Sequence, residues 1–495
     1  MRRRPLVVAL LAPGLAASAW VSPAAPADRS AAPPDRPGAE PMVLADQSAW
    51  VPPDGAAVLQ LRFPGSMEGL EVQVTAHRAV TSRSAFARAL EGKGLGPPEG
   101  ALSAPVASLP PDGEGDRLIT VGIQGPASAP DTTRIVPGRS GVYPLVVELR
   151  QNGPLVSRFI TPLVVVAPGL VPLTLAWVWR FDATPARLPN GRLRPGAAKA
   201  LSPDGRLTRL AGALAGAPDV PLTLAPSPET LEAWADPPSG LTGAAGQPTR
   251  QVLGSPYVPV DLPGLLSDRL DSEVDRQFDQ GGEALAGVFG TRPPVTTVLA
   301  GLLDGPSLAR LRQYGVERVV VPPSALAPLE QRLTPARPFW LAGRARPFTG
   351  AVTDPDLAAL LEGDDASALR TARFLAGLSL VALEAPRDPR GVVVVTAPGW
   401  DPPAAVLDGV LRALRGHPAV VPRTLDQLFA EVPPEGRNGA VLTRALAGRP
   451  PGDSGVDAGR VATLRSRLAA FIQVVGEDAP RARAADRAIL TSQAE

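Results

Sequence analysis

The chain of 495 residues contains no cysteine and only two histidines, His77 and His417. The first absence excludes disulfides, thiolate nucleophiles, zinc-thiolate sites and iron-sulfur clusters together. The second leaves too few imidazoles, far apart in sequence, for a metal centre built on several of them. Each histidine is expected to be an ordinary surface or turn residue. Charge of one sign is lacking as well, because 49 basic residues nearly cancel 48 acidic ones. Such a chain offers no field to draw in nucleic acid or an anionic membrane. Only Lys93 and Lys199 are lysines, and aromatics make up 4%. What abounds is 60 Pro and 49 Gly, which break any long coiled coil, beside a 44% hydrophobic content able to fill real cores.

Met1 to Ala19 reads as a signal peptide: Arg2, Arg3 and Arg4 form a charged start, an apolar run follows, and Ala17-Ser18-Ala19 offers a cleavage site. Export to an extracytoplasmic place, secreted or bound to the cell envelope, is the expectation. Residues 20–41 hold almost nothing large and apolar to bury and read as a disordered linker. No later stretch is expected to span a membrane, since the apolar run at 162–181 is broken by Pro168, Gly169 and Pro172.

From residue 42 to 167 short alternating runs predict strands, as in RLITVGIQG, and Asn152-Gly153 predicts a tight hairpin inside GVYPLVVELRQNGPLVSRFITPLVVV. One helix, SAFARALEG, interrupts them. This segment is expected to be an all-β immunoglobulin-like sandwich. From 168 to 435 apolar strands alternate with amphipathic helices: LTLAWVWRF, VPLTLAP, QVLGSPYVPVD, TTVLA, ERVVVPP, PFTGAVTD, GVVVVTAPGW and AVVP are the expected strands. Seven or eight such units predict an α/β TIM-like barrel, complete or incomplete, followed by a short helical segment over 436–495. The chain is thus multidomain. No glycine-rich phosphate loop follows any of these strands, so a nucleotide ligand is not expected, and no cofactor is predicted.

In a barrel the ligand lies at the carboxyl ends of the strands. Those positions carry Asp182, Ser227 with Glu229, Tyr257 with Asp261, Asp304, Asp354 with Asp356, and Trp400 with Asp401. Paired carboxylates can serve a glycoside hydrolase as acid and as base or nucleophile, and aromatic faces stack on sugar rings. Asp182, Asp261, Asp304 and Asp356 are therefore the candidate catalytic groups, with Tyr257, Trp400 and Asp401 as candidate ligand contacts. An Asp placed before Pro or an apolar helical run is also what helix capping produces. Trp177 and Trp179 share one strand face, where packing on a helix is the expected role. Gly254-Ser255-Pro256-Tyr257 lacks the second glycine of a nucleophile elbow, and a triad would need His417, which precedes the last strand and so lies at the wrong end.

Taken in order, GVYPLVVELR, RFITPLVVV, LTLAWVWRFDATP, GRLTRLAGAL, VPLTLAPSPETLEAW, VLGSPYVPVDLPGLL, GVERVVVPP, GVVVVTAPGWDPPAAVLDGVLRAL and TLDQLF resemble an actinobacterial family of exported cell-envelope proteins built on a domain of unknown function. The resemblance spans residues 48–475. It implies a sandwich, a barrel akin to the glycoside hydrolase/deacetylase superfamily, a further sheet domain and a carboxyl-terminal membrane helix. The deacetylase metal site of that superfamily uses an Asp with a His-x-x-x-His element, which this sequence lacks. The chain also ends on a helix pair without the sheet domain and anchor, as expected of a shortened member. The implied function is an exported, non-enzymatic envelope protein with a degenerate barrel that binds cell-wall glycan or an envelope protein. The alternative is a carboxylate-dependent hydrolase of cell-wall polysaccharide.

Overall fold

Leu70–His77 buries every second residue, Leu70, Val72, Val74 and Ala76, as a strand with one wet face must. It is β3 of eight amino-terminal strands: β1 Val43–Gln47, β2 Ala56–Arg62, β4 Pro98–Pro105, β5 Arg117–Gln124, β6 Arg134–Pro137, β7 Gly141–Gln151 and β8 Leu155–Val165 are the others. They form two four-stranded sheets, ordered β1-β2-β5-β6 and β4-β3-β7-β8, antiparallel except for the β5–β6 pair. Leu59, Leu61 and Ile119 from the first sheet meet Val72, Val74, Leu145 and Val147 from the second in one apolar cluster. The hairpin joining β7 to β8 turns at Asn152 and Gly153, whose φ angles of 51° and 107° supply the left-handed backbone that this pair tolerates. The computed structural model describes residues 42–494, except 64, 126–132, 189, 294–296, 299–302, 330–332, 343–347, 436–439 and 449–453. The expected signal peptide and linker lie outside the described residues.

The next strands are β9 Leu173–Phe181, β10 Leu222–Pro226, β11 Arg250–Val252, β12 Thr297–Val298, β13 Arg318–Val321, β14 Phe339–Leu341, β15 Phe348–Val352, β16 Gly391–Val395, β17 Val420–Arg423 and β18 Thr443–Arg444. One sheet runs β11-β10-β9-β16 and a second β12-β13-β15-β14-β18, parallel apart from the β14–β15 pair. Among the described residues the two meet through a bridge from Thr353 to Val393. A closed TIM-like barrel is therefore not what forms. The register explains why. Thr174 of β9 pairs with both Gly391 and Val421, so β16 and β17 occupy opposite edges of β9. Val178 pairs with both Thr223 and Val395, so β10 shares its edge with β17. The seventh strand thus docks directly on the first, and the expected eighth, β17, tucks in below β10. Among the described residues β11 and β12 do not pair, which leaves the ring open. The segment QVLGSPYVPVD, expected as one strand, is extended sheet only at its start, because Pro256 and Pro259 cannot donate to a ladder.

Small inward residues, Ala176, Val178, Ala351 and Val393, leave room for the helix Leu425–Glu431, whose Leu425, Leu428 and Phe429 plug the interior. Outside, Trp177, Trp179 and Phe181 pack under Leu207, Leu210 and Leu214 of the helix Arg206–Gly216. The helix Ser367–Glu384 is buried nearly all round: Leu369 joins the core of the amino-terminal sheets, while Phe374, Leu375 and Leu378 join that of the α/β region. Beyond residue 457, the helices Ala458–Val475 and Pro480–Thr491 pack beside Asp271–Phe289, held by Arg465 on Glu273 at 2.6 Å and by Gln277 on Gln493 at 3.0 Å. No helix of the described residues is long and apolar enough to cross a membrane.

The two regions are also pinned by charge. Arg83, at the start of the helix Arg83–Leu90, reaches both carboxylate oxygens of Asp354 at 2.6 and 2.7 Å, and Asp354 in turn caps the helix Pro355–Ala359 through Leu357 N–H at 3.0 Å. Arg83→Ala leaves the mostly buried Asp354 without its partner, at a cost of about 1–3 kcal/mol after allowance for partial exposure. Urea denaturation followed by tryptophan fluorescence measures it, and an unchanged midpoint would remove the pin from the account.

Candidate functional site

The structure brings two of the sequence-predicted residues together at the carboxyl ends of the neighbouring strands β9 and β16. Arg180 lies on the same face of β9 as the inward Ala176 and Val178, two residues beyond the apolar floor. Its Nε donates to Asp182 at 2.7 Å, and its backbone N–H donates to the Thr396 hydroxyl at 3.0 Å. Arg206 donates to the carbonyl of Asp182, and Arg209 forms an ion pair with Asp401. Burial lowers the Arg206 pKa, opposed by the fields of Asp182 and Asp401. Three guanidinium groups and two carboxylates thus share one rim. Such planar, fixed donors and acceptors are what polar ligands such as saccharides bind through.

The other predicted carboxylates are committed elsewhere. Asp261 caps the helix Leu262–Ser267 through Gly264 N–H at 3.2 Å, and Asp304 caps Gly305–Gln313 through Ser307 N–H at 2.9 Å. Asp356 stands in solvent, 3.3 Å from Arg83. Capping arises because the first N–H groups of a helix have no acceptor within it. Tyr257 is buried, its hydroxyl donating to Glu232 at 2.6 Å, and burial together with Glu232 raises its pKa. Trp400 is buried too, its ring 6.1 Å from Trp177 and 6.2 Å from Trp179 in edge contacts tilted by 64° and 68°. The ring faces expected to grip a sugar are therefore core contacts. Ser255, in the discounted elbow, donates to the Pro226 carbonyl at 3.3 Å.

Glu229 is buried at the end of β10, where burial raises its pKa. Its two oxygens accept from Ala186 N–H at 2.8 and 2.9 Å and one from Arg187 N–H at 3.1 Å. With the Thr184–Ser227 hydroxyl contact at 2.6 Å, it fastens the loop after β9 to the end of β10 and so holds Asp182 in place. Sequence reasoning missed the arginines. Arg180 was legible from alternation along β9, whereas Arg206 and Arg209 sit on a helix whose placement over that rim is set by tertiary packing.

Among the described residues no group of three or more His, Asp or Glu is placed to hold a metal ion. The donor set does not fit the deacetylase centre either, since both histidines lie off the rim. His77 is half-buried, its Nδ1 2.7 Å from the Gly96 carbonyl, and His417 lies just before β17, at the opposite end of the parallel strands.

No family model matches this chain, and no curated protein is similar to it in sequence. Among solved structures it is distantly similar to a GH57 branching enzyme from Thermococcus kodakaraensis, at 14% identity over 65% of this chain and 84% of that one, with a TM-score of 0.46. The α-amylase AmyC from Thermotoga maritima matches at 10% identity over 62% and 82%, TM-score 0.44. A 4-alpha-glucanotransferase from Thermococcus litoralis matches at 12% identity, TM-score 0.41, over 62% of this chain. The matched part spans about half, 46%, of that glucanotransferase's length. No activity is carried over at these scores.

His417 corrects the expectation of a surface residue. It is 5% exposed, beside Trp50 with ring centroids 6.4 Å apart, and its Nδ1 accepts from Ala419 N–H at 3.2 Å. Burial alone pushes its pKa down to about 4. An imidazole whose folded pKa lies below its unfolded value of about 6.5 favours the folded state above that pH, and the contribution is lost as pH falls towards the folded value. The wild type is expected to lose up to about 3 kcal/mol relative to His417→Gln between pH 7 and 4. Parallel curves for the two proteins in chemical denaturation across that window would refute a neutral, buried His417.

Proposed function

We propose that the chain is an exported cell-envelope protein whose open, hydrolase-like α/β half binds cell-wall glycan without cleaving it. The rim at the ends of β9 and β16 carries this reading: Asp182 and Asp401 are each engaged by arginine, presenting fixed hydrogen-bonding groups rather than a free acid facing a free base. A hydrolase of the paired-carboxylate type needs two unencumbered carboxyl groups across a cleft, about 5–9.5 Å apart. Asp261 and Asp304 are occupied as helix caps. Export and envelope location rest on the amino-terminal sequence and on the resemblance to the envelope family.

The purified protein is expected to co-sediment with insoluble peptidoglycan or arabinogalactan and to release no reducing ends from either. Asp401→Asn, which loosens Arg209, should weaken binding about tenfold, the worth of one charge-assisted hydrogen bond. Failure to bind any wall fraction would overturn the proposal. Release of reducing sugar that Asp182→Asn abolishes would establish the hydrolase instead.

A further inference from the structure

Arg370 is the most buried charged side chain of the helix Ser367–Glu384, which also carries unpartnered buried atoms on Thr371 and Arg373 among the described residues. It is 5% exposed within an element apolar on nearly every face. Its Nη1 donates to the Gly363 carbonyl, while its Nε and Nη2 are buried without an acceptor among the described residues. Asp364 and Asp365 act on it only through space, and Asp365 is held by Arg373 at 2.5 Å. A guanidinium cannot shed its proton to escape this position, and burying it with two of its nitrogens unpaired is unfavourable. Burial costs of that kind persist where a ligand supplies the missing charge.

A cavity of about 250 Å³ is lined by Arg370 itself, by Gly363, Gly399 and Trp400, and by two carboxylate residues, Glu362 and Asp401, of which Asp401 is already engaged by Arg209. It lies directly after β16, at the carboxyl ends of the parallel strands where α/β ligands bind, and Asp401 belongs to both this cavity and the rim described above. Behind Trp400, the indole Nε1 groups of Trp177 and Trp179 are also buried without acceptors among the described residues.

We infer that this cavity is an oxyanion site, in which Nε and Nη2 of Arg370 grip a carboxylate or phosphoryl group of the ligand in a two-pronged pair. Both nitrogens are closed off in the present side-chain position, so anion binding requires Arg370 to rotate away from the Gly363 carbonyl towards the cavity it lines. Planar bidentate geometry is what distinguishes arginine from lysine at such sites. The inference rests on the glycan reading only for the carrier of the anion, an acidic or phosphorylated saccharide, and not for the anion itself.

The chain has seven tryptophans, so the indole N–H signals of the 15N-labelled full-length protein form a spectrum in which each can be followed. Titration with glucuronate and, separately, inorganic phosphate is expected to shift the Trp400 indole saturably, while glucose and sodium chloride at equal ionic strength do not. The stronger of the two anions names the group. Arg370→Leu should weaken the response at least tenfold, with Arg370→Lys in between. Shifts no larger than those in chloride, or an unchanged titration in Arg370→Leu, would overturn the site. Should Arg370→Leu fail to fold, the wild-type titration against chloride decides alone. An anion response without any wall binding sinks the glycan role and leaves this site standing, and wall binding without an anion response does the reverse.

Discussion

The helix Ser367–Glu384 is the constraint on which the rest of the structure depends. It is shared by two cores, giving Leu369 to one and Phe374, Leu375 and Leu378 to the other, so neither region closes its apolar cluster without it. A helix hydrophobic on nearly every face has to be enclosed by the protein, and here the enclosure is supplied by β8 and β1 on one side and by β9 and the helix Ala404–Leu414 on the other. Gly377 sets how closely a neighbour comes: a Cβ there would lie 2.8 Å from Leu360 and 2.9 Å from Leu357. The loop carrying Gly363 and the turn after β16 are thereby brought to the same spot, and Arg370 between them inherits a burial that its chemistry alone would not choose.

The same packing orders the chemistry of the rim. The outward tryptophans of β9 anchor the helices against which Trp400 rests, and the inward residues of that strand end in Arg180. One strand therefore governs both what is buried and which charges line the rim. Glu229 extends the arrangement by tying the loop after β9 to β10 with backbone donors, which fixes Asp182 through covalent continuity rather than direct contact.

Much of the strand pattern was legible because local signals agreed with tertiary ones. The Asn152-Gly153 turn, the run Leu173–Phe181 and the run Gly391–Val395 all stand where alternation and β-branched content put them. β4 was invisible: PEGALSAP has neither the residues nor the spacing of a strand, and its ladder with β3 alone holds it extended. That the ring stays open was equally hidden, since nothing in AVVP distinguishes an eighth stave from a strand that slips beneath its neighbour. At the site, chain order located Asp182 and Asp401 near strand ends, but not that arginines from a packed helix would meet them. Asp261 and Asp304 looked alike as acids and as caps until the backbone N–H groups they accept from were in view.

Because β10 and β17 divide one edge of β9 between them, that strand's lower ladder is completed only by a segment made some 250 residues later in the chain. During synthesis, Leu173 to Ala176 must wait with an open row of amide and carbonyl groups, flanked by some of the most apolar sequence in the molecule. Such a ribbon is a template for pairing with another copy. The docking of Val420–Arg423 on that edge ends this exposure, so it protects against self-association as much as it finishes the architecture.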